Sequence, residues 1–137
     1  EQVVVFTDFD KKHSIFAASL ATGLALKFYR FDQYRDQKKT AELASSLKKV
    51  DLYCDDPAVA SARFKIDDAV IDGVFLTRDL VNMPPNDLYP ESYAAKIKKD
   101  LALPGLKIEV LDDKKLKSMG FGAHLAVGQG SIRPPRV

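Results

Sequence analysis

Two histidines, one cysteine and three adjacent pairs of aspartates are the side chains with the most chemistry to offer. A transition-metal site needs three or four N, S or O ligands held close together. His13 lies in a polar turn and His124 in an apolar run read as a strand, and neither has ligand-like spacing around it. Cys54 is followed by Asp55 and Asp56, whose charges oppose the thiolate that a nucleophile or ligand requires; a small, buried apolar role suits it better. Asp55-Asp56, Asp67-Asp68 and Asp112-Asp113 invite an acid/base or metal reading. The first and third pairs, however, stand where helices should start and where acids act as caps, and Asp67-Asp68 falls mid-helix, on what should be its solvent face. Gly128-Gln129-Gly130 follows a predicted strand as a dinucleotide loop would. The third glycine of that fingerprint is replaced by Arg133, and Pro134-Pro135 forbids the helix that must follow, so a turn suffices. Lys27 to Lys39 interleaves bases with aromatics, as nucleic-acid surfaces do, but the same pattern arises when aromatics pack inward and charges face water.

The elements that would position these residues follow from periodicity. Val3-Val4-Val5-Phe6 reads as a buried strand, and Thr7 to Lys12 as a turn. Ser14 is placed as the N-cap of a helix over Ile15 to Phe28, with Phe16, Leu20, Leu24 and Phe28 along one face. Lys49 to Cys54 alternates as a half-buried strand, so strand, helix and strand succeed one another in an α/β arrangement. Asp56-Pro57 opens a helix running to about Asn82, where Met83-Pro84-Pro85 stops it; roughly 25 residues span about 38 Å, which suits a connector between two compact parts. Pro90-Glu91-Ser92 opens a further helix, ended by Pro104-Gly105, with Tyr93, Ala94, Ile97 and Leu101 as its apolar side. Leu106 to Leu111 alternates as a strand, Asp112-Asp113 caps a short helix closed by Gly120, and Ala123 to Val127 reads as another strand. Ile108, Val110, Leu125 and Val127 of those two strands are expected to be only partly covered, since such a sheet is normally flanked by further strands.

The bulk numbers bound the class. The chain of 137 residues is 46% hydrophobic and 29% charged, with a net charge of +2, which argues for an ordinary folded protein and against a polyanion partner chosen by charge alone. One cysteine permits no internal disulfide, which suits a reducing compartment. No apolar stretch approaches a membrane span. Neither end has the look of a natural terminus.

The run Arg78-Asp79-Leu80-Val81-Asn82-Met83-Pro84-Pro85-Asn86-Asp87-Leu88-Tyr89-Pro90 resembles the R-D-L-V-N-x-P-P-N-x-x-x-P segment of the leucyl (cytosol) aminopeptidases. Leu106 to Leu111, Met119 to Ala123 and Leu125 to Ser131 are similar to that family in order and spacing, as is Leu26 to Asp32. The resemblance implies the end of a small α/β N-terminal domain over residues 1–56, a linker helix over 57–83 and the incomplete start of a mixed-sheet catalytic domain over 84–137. For the intact enzyme it implies removal of N-terminal amino acids from peptides by water activated between two divalent ions, zinc or manganese, in a cytoplasmic homo-oligomer, a hexamer, with no membrane or nucleic-acid partner. The family's metal ligands, together with its catalytic lysine and arginine, would lie beyond Val137, and no N-T-D-A-E-G-R segment occurs here. No catalytic, cofactor-binding or metal-ligating residue is therefore assigned to this chain. An aliphatic residue is usual where His124 stands, which puts the packing of that strand in question. The competing reading is a non-catalytic α/β module binding nucleic acid or a nucleotide through Tyr29 to Lys39.

Overall fold

The computed structural model describes residues 2–6, 14–42 and 44–137. His13 and the turn over residues 7–12 fall outside them. The chain divides into two compact units, Glu1–Asn82 and Met83–Val137.

The first unit contains the sheet. β1 (Gln2–Phe6) and β2 (Lys49–Tyr53) are parallel, in register from Gln2 opposite Lys49 to Phe6 opposite Tyr53. Parallel neighbours need a long crossover, and here it carries α1 (Ser14–Lys27) and α2 (Gln37–Glu42). The α/β class read from the sequence is what the chain adopts. The short helix α2 was not foreseen; its start is Asp36, whose Oδ1 accepts the Lys38 amide at 2.8 Å. Asp51 on β2 accepts hydrogen bonds from Lys49 Nζ at 2.9 Å and Gln2 Nε2 at 2.5 Å. The bond from Lys49 holds the Asp51 carboxyl below its ordinary range.

Helix α1 packs on α3 (Pro57–Asn82). The buried side of α1 is not the row of Phe16, Leu20, Leu24 and Phe28. Ala17 and Ala18 are buried, whereas Phe16 is 53% exposed and Phe28 41%. Small side chains let two helix backbones approach, so the alanine face faces the partner and the aromatic row is displaced from it. Ser14 is the first helical residue, and its Oγ accepts the Asp56 amide at 3.1 Å, tying the start of α1 to the start of α3. Asp56 caps α3 by accepting the Val59 amide at 3.1 Å, with Pro57 in the first helical position. The helix passes unbroken through Asp67-Asp68. Asp67 is not on a solvent face: it pairs with Arg63 at 3.0 Å and accepts a bond from Thr22 Oγ1 of α1 at 3.3 Å.

The second unit is helical. α4 (Pro90–Asp100) opens at Tyr89, whose amide donates to Ser92 Oγ at 2.9 Å, and ends before Pro104-Gly105. α5 (Asp113–Ser118) is capped by Asp112, which accepts the Lys115 amide at 2.8 Å. Gly120, at φ 79°, closes α5: the Gly120 amide reaches the Lys117 carbonyl and the Phe121 amide the Leu116 carbonyl.

Both strands expected here require correction. Ala123–Val127 lies within a helix, α6 (Gly122–Gly128). Once Gly120 has reversed the chain, Ala123, Leu125 and Ala126 are strong helix formers, and the Leu125 amide closes a turn on the Phe121 carbonyl at 3.0 Å. An apolar run this short has no period that separates strand from helix. His124 is consequently an exposed helix residue and disturbs no strand. Leu106 to Leu111 belongs to no strand either; it makes one reciprocal backbone pair, Leu111 with Val137. Alternation marks a residue run as fit for a sheet, but a strand exists only where a neighbour completes its ladder. Val110 is 36% exposed and Val127 88%.

Gly128 is needed for space. A Cβ there would stand 2.9 Å from Pro135 Cγ and 3.1 Å from its Cδ, and a proline ring cannot swing aside. Gly128→Ala is expected to destabilise the second unit by about 1–3 kcal/mol, read as a lowered denaturation midpoint. An unchanged midpoint would show that the Gly128–Pro135 contact is dispensable.

Candidate functional site

The best-connected group of side chains lies where α1 ends against the last two turns of α3. Phe75, Arg78, Asp79 and Asn82 fall at steps of three and four residues, on one face of that helix. All four meet Tyr29. The two rings of Tyr29 and Phe75 are 5.2 Å apart, and Arg78 Cζ stands 3.8 Å above the Tyr29 ring. The Tyr29 hydroxyl donates to Asp79 Oδ1 at 2.7 Å and accepts from Asn82 Nδ2 at 3.3 Å, while Arg78 Nη1 donates to the Leu26 carbonyl at 3.3 Å. Burial, then the bond to Asp79, raises the Tyr29 hydroxyl above the ordinary tyrosine value. These contacts fasten α3 to the end of α1. Sequence reasoning quoted Arg78, Asp79 and Asn82 for resemblance only; their shared spacing was the available sign that they have a common partner.

A raised tyrosine contributes stability below its unfolded value of about 10 and loses it as pH climbs through the folded value. Tyr29→Phe should therefore lower the melting temperature of the first unit at pH 8, with a smaller deficit at pH 11, as the wild type loses its advantage. Equal deficits at both pH values would show that the hydroxyl does not carry the effect.

The stretch from Lys27 to Lys39 is largely turned to internal use. Besides Tyr29, the rings of Phe31 and Tyr34 are 5.7 Å apart. Arg30 and Arg35 both lean on Asp32, at 2.9 and 3.7 Å. The remaining candidates do not converge. Cys54 is half-buried in a hollow of the first unit, Asp56 and Asp112 are caps, and Asp113 pairs with Arg136 at 3.3 Å. Among the described residues no three His, Cys, Asp or Glu side chains are grouped so as to hold a metal ion.

Two hollows remain. One in the first unit, of about 380 Å³, lies between α1, β2 and α3. One in the second, of about 460 Å³, is lined by α4, the extended Ile108–Val110 run and the C-terminal residues. Beside the latter, Arg133 lies 3.8 Å above the Tyr89 ring. No helix among the described residues is long and apolar enough to cross a membrane.

Against this geometry the comparisons with known proteins can be set. The family model described as the catalytic domain of the cytosol aminopeptidase family matches residues 75–137. A probable cytosol aminopeptidase of Nitrobacter hamburgensis is 43% identical over 120 residues, covering 88% of this chain and 24% of that protein. One of a Bradyrhizobium strain is 48% identical with the same coverage. The chain thus spans about a quarter of the length of the curated relatives it matches. Among solved structures, the bottromycin maturation enzyme BotP superposes with a TM-score of 0.72 at 31% identity, over 90% of this chain and 25% of that one. BotP in complex with Mn gives 0.75 at 28% identity, over 97% and 28%.

Proposed function

Since this chain belongs to the cytosol aminopeptidase family, we propose that the protein of which it is a quarter-length counterpart is a metal-dependent aminopeptidase that removes N-terminal residues from peptides. The match of residues 75–137 to the family's catalytic domain carries this reading. A solved relative in complex with Mn supports a divalent-metal requirement. In the proposal two ions, zinc or manganese, are held by residues outside this chain, and the enzyme is a cytoplasmic hexamer. Residues 1–56 are the end of an N-terminal domain, 57–83 the helix leading out of it and 84–137 the first part of the catalytic domain.

The contribution of this chain's own residues is positional. Tyr29 lies ahead of the family match, and the group it fastens, Phe75 to Asn82, is the opening of that match. The catalytic-domain sequence therefore begins on a helix anchored by residues that precede it. The alternative of a nucleic-acid module gains no support from Tyr29, Arg30 or Arg35, which are engaged within the first unit.

The test is turnover by the protein expressed at the length of its curated relatives. It should release leucine from a leucine anilide with Mn²⁺ or Zn²⁺ and stop when a chelator is added. Inactivity against a panel of aminoacyl anilides with both metals would overturn the proposal.

A further inference from the structure

The hollow of the first unit has a chemistry that the peptidase reading does not use. Its walls are apolar: half-buried Ala21 of α1, Leu52 of β2 and Phe64 of α3 line it, above the buried Ala17 and Ala18. Its rim carries one ammonium and one carboxylate, Lys65 and Asp68. They stand three residues apart on α3, hence on neighbouring surface positions with Cβ atoms about 5–6 Å apart. The other acid of that turn, Asp67, is already held by Arg63 and Thr22. Lys65 and Asp68, by contrast, have no ion-pair partner among the described residues.

We propose that this hollow binds a free α-amino acid with an apolar side chain. The side chain would lie against Ala21, Leu52 and Phe64, the α-carboxylate would meet Lys65 and the α-ammonium Asp68. A volume of about 380 Å³ accommodates such a molecule. Both charges of the ligand are answered, which separates an amino acid from a fatty acid, an amine or a neutral apolar molecule. The ligand class follows from the hollow alone. That it is also the product of the protein's own reaction rests on the peptidase reading, and would give the enzyme a site for product sensing outside its catalytic centre.

The experiment is equilibrium dialysis of L-leucine against the full-length protein, with Lys65→Met, Asp68→Asn and cavity-filling Ala21→Phe as variants, each checked by its melting curve. The expected result is a leucine site that each rim variant weakens about tenfold or more, as loss of a charge-assisted bond would. Leucinamide and N-acetyl-leucine, each lacking one charge, should bind that site correspondingly less well. Ala21→Phe should abolish it. Leucine binding unchanged in all three variants, no leucine binding, or binding of leucinamide or N-acetyl-leucine as tight as that of leucine would each overturn the proposal. The two readings fail separately. Variant-sensitive leucine binding without anilide turnover would sink the peptidase and keep the site, and turnover without such binding would do the reverse.

Discussion

Purified residues 1–137 are expected to release no amino acid from leucine anilide, with or without added Mn²⁺ or Zn²⁺, at a rate above that of buffer. Hydrolysis by metal-activated water needs an ion fixed by several protein ligands with an open position for substrate. The described residues offer no grouping of three His, Cys, Asp or Glu side chains. His124 is exposed on a short helix, Asp56 and Asp112 spend their carboxylates on caps, and Asp67 and Asp113 spend theirs on arginines. The contrast with a competent enzyme is therefore all or nothing, since typical turnover numbers are about 1–10³ per second. The protein expressed at the length of its curated relatives, prepared in parallel, is the positive control. Chelator-sensitive release by the 137-residue chain, surviving a further purification step, would show that it carries a metal centre of its own.

How far the sequence could be read depended on whether an element is defined by its own residues or by its neighbours. The α3 boundaries are local: an Asp cap, a proline in the first turn and a Pro-Pro stop mark them from Pro57 to Asn82. The Asp112 cap and the Gly120 closure are local in the same sense, and both were legible. The contact face of α1 was less plain: its aromatic residues give the stronger period, while the alanines make the contact. Leu106 to Leu111 and Ala123 to Val127 failed for a different reason. Strand formation is settled by ladder partners, which a residue pattern does not contain. Of the fastening group, the family segment supplied Arg78, Asp79 and Asn82, and their partner Tyr29 sat unrecognised in a stretch weighed for nucleic acid. The role of Gly128 against Pro135 depends on a close approach that only coordinates display.

Leu116→Ala is expected to unfold the second unit while leaving the first folded. Among the described residues Leu116 is the one buried hydrophobic side chain of Met83–Val137, with no exposed surface at all. It lies in α5, between the Asp112 cap and the Gly120 closure, and its carbonyl accepts the Phe121 amide that turns the chain into α6. Removing a fully buried leucine side chain costs about 2–5 kcal/mol. A unit this small buries a modest share of its surface and has little stability to lose, even against the usual net of about 5–15 kcal/mol for a domain. Met119, Val127 and Ile132 of the same unit are 51%, 88% and 96% exposed and offer no second core to take over. Amide hydrogen exchange on the 137-residue chain distinguishes the outcomes: protection should vanish over residues 90–128 and persist in α1 and α3. Protection retained in α5 and α6 of the variant would mean that this unit is held by contacts other than those around Leu116. Loss of protection throughout the chain would mean that the two units unfold as one.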